Sequence, residues 1–153
     1  MKAWIAGLAA AVLAVWFGMP FRTRDTARLL PLRTVQVEVD AEGVYLRSEQ
    51  GEGRGGNWRE AVANLCETAP GDVFFDTAEQ LVLCGAAEKL LPAIVDSGCL
   101  RPAAQIYHAA ELRPAKGLNT LLNAHESGVT VGDAAAAMAR DETVSLPEAP
   151  DGK

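Results

Sequence analysis

The chain has 153 residues and a net charge of −6, which limit both its size class and its partners. This length supports one domain with a hydrophobic core and excludes two domains of ordinary size. An acidic chain without a basic stripe is repelled by phosphate groups, so nucleic acid is excluded as a partner. Three cysteines without a zinc-type C-x-x-C pair favour small buried side chains, and they leave one disulfide open.

Residues 1–21 are predicted to be a transmembrane anchor or a signal segment. Residues 3–21 contain no charged side chain, and at about 1.5 Å per residue they nearly span a hydrocarbon layer of roughly 30 Å. Aromatic residues at both ends favour interfacial anchoring, and no small-x-small cleavage site follows. An uncleaved transmembrane helix is therefore favoured over a cleaved signal peptide. No cysteine follows the run to carry a lipid anchor.

After a basic, proline-containing juxtamembrane connector at 22–33, residues 34–144 are predicted to form a single α/β domain. The expected fold is a mixed α+β sheet flanked by helices and preceded by the transmembrane helix. Residues 34–40 alternate between apolar and polar side chains, which indicates a half-buried strand with a hairpin partner at 44–48. The further predicted elements are a loop at 49–56, a helix at 58–67, a short apolar stretch at 73–75, a doubly buried strand at 80–85, a helix ending at Gly98, a strand at 103–111, helices at 118–124 and 132–140, and a disordered tail at 145–153.

Two helices carry specific signals at their ends. Asn57 is positioned to cap the helix at 58–67, with Glu60 at the third helical position as in a capping box. Trp58 and Leu65 fall on the inward face of that helix. In the next helix, Pro92 either introduces a kink or marks the first turn.

The stretch GEGRGG fits G-x-G-x-x-G at Gly51, Gly53 and Gly56. A dinucleotide-binding loop requires a buried strand that leads directly into the first glycine and a helix N-terminus that receives the pyrophosphate. Here the preceding strand pairs as a hairpin, and Glu49 and Glu52 place negative charge where a phosphate would bind. The stretch is therefore predicted to be a connecting loop without a cofactor.

The remaining reactive side chains do not form a recognisable site in the sequence. His108 and His125 lack a third ligand at helical spacing, so no metal site is predicted. Cys66 or Cys84 with His108 would make a thiol nucleophile pair, but a cysteine in an apolar strand should have a raised pKa and be inert. No catalytic, cofactor-binding or metal-binding residue is assigned, and no enzyme is predicted.

The order of elements from about Arg24 to Met138 resembles the N-terminal domain of the Ger(x)C family, the C subunits of spore germinant receptors. The resemblance rests on pattern and is carried by RDTARLLPLRTVQVEVDAEGVYL, GGNWREAVANLCE, DVFFDTAEQLVLCG, AAEKLLPAIVDSGCLRPAAQIYHAA and ELRPAKGLNTLL. It implies a non-enzymatic, membrane-anchored interaction domain related to germination in sporulating cells. Its partners would be membrane receptor subunits, bound through an exposed sheet edge or the face that carries Tyr107.

Alternatives to this function and orientation remain open. A generic cell-envelope or sporulation scaffold unrelated to germination has the same anchor and fold, and a small thiol-dependent or nucleotide-binding enzyme is a third hypothesis. The family resemblance places the folded domain outside the cytoplasm. The basic residues of 22–33 favour the cytoplasmic side, because positively charged flanks are retained there. The family resemblance is given more weight, so a single-pass membrane protein with its folded domain outside the cytoplasm is predicted.

Overall fold

Two β-sheets and four α-helices make up the part of the chain that this computed structural model describes, residues 29–150. The strands are β1 (Leu29–Pro31), β2 (Thr34–Asp40), β3 (Gly43–Ser48), β4 (Gly51–Gly55), β5 (Asp72–Phe74), β6 (Gln80–Cys84) and β7 (Gln105–Ala109). The α-helices are α1 (Trp58–Thr68), α2 (Leu91–Ser97), α3 (Leu118–Asn123) and α4 (Val131–Met138). Short 3-10 turns at Phe75–Thr77 and Gly85–Leu90 precede β6 and α2.

The larger sheet is mixed, with strand order β4-β3-β2-β6-β7. β2, β3 and β4 form an antiparallel meander, whereas β6 and β7 join β2 in parallel. The parallel pairs require crossover connections, which here contain α1 and α2. The smaller sheet is the parallel pair β1-β5.

The main hydrophobic core lies on one face of the large sheet. Alternate residues of the strands point to this face, including Val35 and Val37 on β2, which are fully buried. The helices α1, α2 and α4 cover it with Trp58, Ile94 and Val131 among others. Because this face carries most of the buried apolar side chains, it supplies most of the hydrophobic stabilisation.

The opposite face of the sheet is divided into a covered half and an open half. Over β6 and β7, α3 covers an apolar cluster that includes Val82, Tyr107 and Leu122. Over β3, β4 and the C-terminal end of β2 the outward side chains are mostly charged and lie partly or fully in solvent, whereas Thr34 and Gln36 at the start of β2 are buried on this face. On this face the outward residues of β6 and β7 are apolar and those of β3 and β4 are mostly charged, which explains why only the β6–β7 half is covered by a helix.

Several predicted elements are confirmed. The strand at 34–40, its hairpin partner and the fully buried β6 lie where the sequence placed them. The Asn57 side chain accepts a hydrogen bond from the Glu60 backbone N–H and caps α1. Pro92 lies in the first turn of α2, so it marks the start of that helix, and Gly98 ends it with a φ of 62°.

Three predicted boundaries differ from the structure. The stretch predicted as a loop at 49–56 contains β4. The predicted connector at 22–33 already includes β1 and the fully buried Leu32, so the fold begins before residue 34. The tail predicted as disordered from residue 145 runs beside β7, where His108 and Glu148 form a parallel bridge. Proline and charge in that tail did not prevent backbone pairing at a sheet edge.

The predicted transmembrane segment at 3–21 lies outside the described residues. Within residues 29–150, none of the helices has the length and apolar character required to cross a membrane.

Candidate functional site

The open half of the sheet presents a continuous row of charged and aromatic side chains, here called the open face. Its central members are Glu38 on β2, Tyr45 and Arg47 on β3, and Glu52 and Arg54 on β4. Glu38 is directly opposite Tyr45, which is opposite Arg54 on the next strand, and Arg47 is opposite Glu52. The pleat of three antiparallel strands therefore brings these side chains to one surface.

Tyr45 lies between the two arginines of the open face. The guanidinium carbon of Arg54 lies 5.1 Å from the centre of the tyrosine ring, and that of Arg47 lies 5.6 Å from it. Arg47 Nη2 also donates a hydrogen bond of 3.3 Å to the Tyr45 hydroxyl. Cation–π contacts at such distances hold the ring and both arginines in a defined arrangement.

Carboxylates surround this centre and orient the arginines. Arg47 Nε lies 3.0 Å from Glu52 Oε1, and Arg54 Nη2 lies 3.1 Å from Asp40 Oδ2. Arg54 also pairs with Glu42. These pairs are exposed to solvent, so each stabilises the fold by about 1 kcal/mol or less. Their main effect is to fix where the charges point.

The electrostatics of the open face keep Tyr45 protonated. Burial and a hydrogen bond with Glu52 raise the pKa of Tyr45, while Arg47 acts in the opposite direction. The hydrogen bond from Tyr45, together with Arg47, lowers the pKa of Glu52. At neutral pH the surface therefore presents a neutral phenol between fixed positive and negative charges.

Tyrosine and arginine on a rigid scaffold are typical of protein interfaces. Both residue types are enriched in binding hot spots, because they combine apolar area with directed hydrogen bonds. Strands hold side chains in place more firmly than loops do. The open face can therefore bind a protein surface of complementary charge without a large ordering cost.

The two partner surfaces proposed from the sequence are both covered. Tyr107 is only 1% exposed, because α3 packs over it, and its hydroxyl donates a hydrogen bond to the carbonyl of His125. The prediction of a partner face around Tyr107 is therefore wrong.

Both edges of the five-stranded sheet are also occupied by residues within 29–150. On β4, the outward Arg54 N–H donates to the Asn64 side chain at 3.0 Å, and the Thr68 hydroxyl lies 3.2 Å from the Glu52 carbonyl oxygen and 2.9 Å from the Asn64 carbonyl oxygen. Both helical side chains belong to α1. The sheet edge predicted as exposed is thus partly covered at β4 by α1.

The edge of β7 is covered by two separate segments of the chain. Ile106 N–H donates to the Val129 carbonyl at 2.9 Å, and His108 N–H donates to the Pro147 carbonyl at 2.8 Å. Both edges of the large sheet are therefore at least partly covered by other parts of residues 29–150.

The glycines of GEGRGG have a packing role. A Cβ on Gly53 would lie 2.3 Å from the Ala61 carbonyl oxygen, and a Cβ on Gly55 would lie 2.5 Å from the Glu60 Cβ. Glycine at these positions lets α1 lie directly on β4. The stretch is a strand beneath a helix, which differs from the loop that cradles a pyrophosphate.

The thiol–imidazole pair considered in the sequence does not assemble from Cys84 and His108. In the β6–β7 register Cys84 is opposite Ala109, and His108 is opposite Leu83. Side chains of successive residues point to opposite faces, so the sheet separates the thiol from the imidazole. Burial raises the pKa of Cys84 to about 11, with Glu38 acting in the same direction, as the sequence predicts for a cysteine in an apolar strand.

The two histidines have different surroundings. His108 Nδ1 lies 2.8 Å from Glu88 Oε1, although the alignment of the two groups is poor for a hydrogen bond. The His125 ring contacts the Leu121 carbonyl oxygen at 3.1 Å. Among residues 29–150, no group of three or more His, Cys, Asp or Glu side chains is placed to hold a metal ion.

The open face was missed in the sequence, although a signal for it was present. The polar positions of β2 alternate with buried valines, and Tyr45 and Arg47 continue the same face on β3. Polar alternation on adjacent strands indicates a solvent-facing surface.

No protein-family model, curated protein or solved structure matches this chain.

Proposed function

We propose that this chain is a non-enzymatic protein-interaction domain, tethered to a membrane, that binds its partner through the open face. The observation that carries the proposal is the arrangement of Tyr45 between Arg47 and Arg54 on two paired strands, β3 and β4, facing solvent. The covered edges and the buried Tyr107 leave this face as the surface best suited to a protein partner. The separation of Cys84 from His108 gives no support to a thiol-dependent enzyme.

The predicted anchor limits the kind of partner. Between its end at residue 21 and the start of β1 lie residues 22–28, which reach at most about 25 Å when fully extended. A domain held this close to a bilayer meets membrane-bound proteins far more often than free ones, because tethering raises their effective concentration. We therefore propose an integral membrane protein as the partner.

The germination-receptor relationship remains a proposal that rests on the resemblance of the sequence. In that reading the domain lies outside the cytoplasm and binds a receptor subunit in the membrane. A generic envelope scaffold has the same open face and anchor, so the identity of the bound protein distinguishes the two.

Site-specific crosslinking in intact cells tests the proposal. A photoreactive phenylalanine analogue replaces Tyr45 in the full chain, and a matched variant carries it at Ala63, an exposed position on the helix that covers the other face. We expect Tyr45 to crosslink to one integral membrane protein and Ala63 not to do so. Arg54→Glu should reduce the Tyr45 crosslink by about tenfold, since one reversed charge at an interface costs more than about 1.4 kcal/mol.

The outcomes separate the hypotheses. A receptor subunit in the crosslink supports the germination reading, and another envelope protein supports the scaffold. Equal crosslinking from both positions, or none from a folded Tyr45 variant, refutes the open face as the binding site. Protease added to protoplasts tests the orientation independently, because a tag after Lys153 is removed only if the domain faces outward.

A further inference from the structure

Residues 147–150, here called the tail segment, lie along β7 as a bound peptide would. His108 N–H donates to the Pro147 carbonyl at 2.8 Å, and Ala149 N–H donates to the His108 carbonyl at 2.7 Å. This reciprocal pairing with one residue is the pattern by which an extended ligand adds to a sheet edge. The edge of β7 therefore already carries a peptide, supplied by the same chain.

Ala149 occupies a small apolar pocket at this edge. It is 3% exposed and packs with the cluster formed by Tyr107, Leu118 and Leu122. A methyl group fits this space, whereas a larger or charged side chain would overpack it or bury an unpaired charge. The pocket thus selects alanine at the third position of the tail segment, while Glu148 beside it is exposed.

Arg113 holds the backbone at the end of the tail segment. Its Nη2 donates to the Ala149 carbonyl at 3.2 Å, and its Nη1 donates to the Pro150 carbonyl. The backbone of Arg113 is itself held by the buried Gln36, through two hydrogen bonds of 2.8 Å. Arg113 is therefore placed by the sheet to recognise main-chain carbonyls, which any peptide of the same conformation would offer.

The binding edge has a defined length, and its occupant is pre-ordered. The N-terminal half of β7 is closed by Val129 and Val131, which bond to Ile106 and Ala104. Only the half beside His108 is available to the tail segment. Pro147 and Pro150 restrict the backbone to extended conformations and lower the entropy lost on binding.

We propose that the half of β7 around His108 is a peptide-binding groove, that the tail segment is its resident occupant, and that an extended Pro-x-Ala-Pro segment of a partner protein replaces it. This is a second interaction surface, distinct from the open face and independent of it. A tethered occupant competes at an effective concentration of about millimolar. Release of the tail therefore controls access of the partner.

The test uses the full chain and a labelled peptide with the sequence of residues 145–153, SLPEAPDGK. Ala149→Asp places a carboxylate in the apolar pocket and expels the tail segment. We expect the peptide to bind this variant at least about tenfold more tightly than the wild-type chain, because the tethered competitor is removed. A peptide with aspartate in place of its alanine should not bind. Glu148→Lys, at the exposed position, should bind the peptide as the wild type does.

A second measurement on the wild-type chain keeps the proposal testable if Ala149→Asp does not fold. Saturating peptide should speed hydrogen exchange at the Ala149 amide, whose bond to the His108 carbonyl is lost with the tail. The His108 amide should stay protected, because the peptide replaces the Pro147 carbonyl. A folded Ala149→Asp variant that does not bind the peptide overturns the proposal. If that variant is unfolded, an unchanged rate of hydrogen exchange at the Ala149 amide of the wild-type chain overturns the proposal.

Discussion

Replacing Gly53 with alanine should destabilise the fold, because α1 lies too close to β4 to admit a methyl group. The added Cβ would lie 2.3 Å from the Ala61 carbonyl oxygen, 2.6 Å from the Leu65 Cβ and 2.8 Å from the Leu65 backbone nitrogen. All three distances are shorter than real Cβ contacts, and two involve backbone atoms that cannot rotate away. The helix must therefore shift outward from the strand and lose packing against the core.

The expected cost follows from measurements on overpacked cores. Extra methylene groups in a packed core cost about 1–3 kcal/mol, and a clash with helix backbone belongs at the upper end of that range. For a domain of this size, such a loss lowers Tm by roughly 5–15 °C. Urea or thermal unfolding followed by circular dichroism measures both quantities.

Gly56→Ala is the matched control for Gly53→Ala. Its Cβ would meet only the flexible Glu60 carboxylate, at 3.1 Å, so we expect wild-type stability or a gain of about 0.4–1 kcal/mol from the smaller entropy of the unfolded chain. A nucleotide-binding loop would require Gly53 and Gly56 alike. Equal losses for both variants, or a change below about 0.5 kcal/mol for Gly53→Ala, would refute the packing explanation.

Three further predictions concern single buried groups. The pKa of Cys84 is about 11, above its ordinary value of 9, so the folded chain resists ionisation of this thiol. The free energy of unfolding should therefore be unaffected by Cys84 below pH 9 and should fall by roughly 2–3 kcal/mol as the pH rises to 11. Cys84→Ala should remove this fall in urea titrations, and the same fall in the variant as in the wild type would contradict the prediction. Gln36→Leu leaves the Arg113 backbone N–H and carbonyl without their partner and should cost about 1–3 kcal/mol in urea unfolding, whereas wild-type stability would rule out this role. Trp58→Phe loses the 3.1 Å hydrogen bond from the indole N–H to the Ser97 hydroxyl and should lower the free energy of unfolding by about 1–2 kcal/mol in thermal unfolding. Ser97→Ala should cost less, and a larger loss for Ser97→Ala than for Trp58→Phe would contradict this prediction.

The parts of the fold that were predictable are those in which side-chain pattern and local structure agree. The valines of β2 alternate with polar residues, and the apolar run of β6 is buried throughout. Asn57 and Pro92 act within one turn of their own helices. Such signals act between residues that are close in the sequence, so the tertiary fold does not change their effect.

The parts that were not predictable depend on contacts between distant residues. β4 has glycine at its inward positions, so it lacks the apolar alternation that identifies a strand, and the cause lies in the approach of α1. The tail segment pairs with β7 through backbone atoms that carry no sequence signal. The same limit applies to Tyr107, since only the position of α3 decides whether that face is covered.

The partial cover of the β4 edge by Asn64 and Thr68 has a consequence for the self-association of this domain. Edge-to-edge stacking of sheets needs unpaired backbone groups, and here the Arg54 N–H is bonded to the Asn64 side chain and the Glu52 carbonyl lies within reach of the Thr68 hydroxyl, both on α1. Stacking of a second sheet on this strand would therefore have to displace both side chains of α1. Encounters on this side of the molecule must be decided by side chains, which substitutions can retune without altering the backbone beneath them.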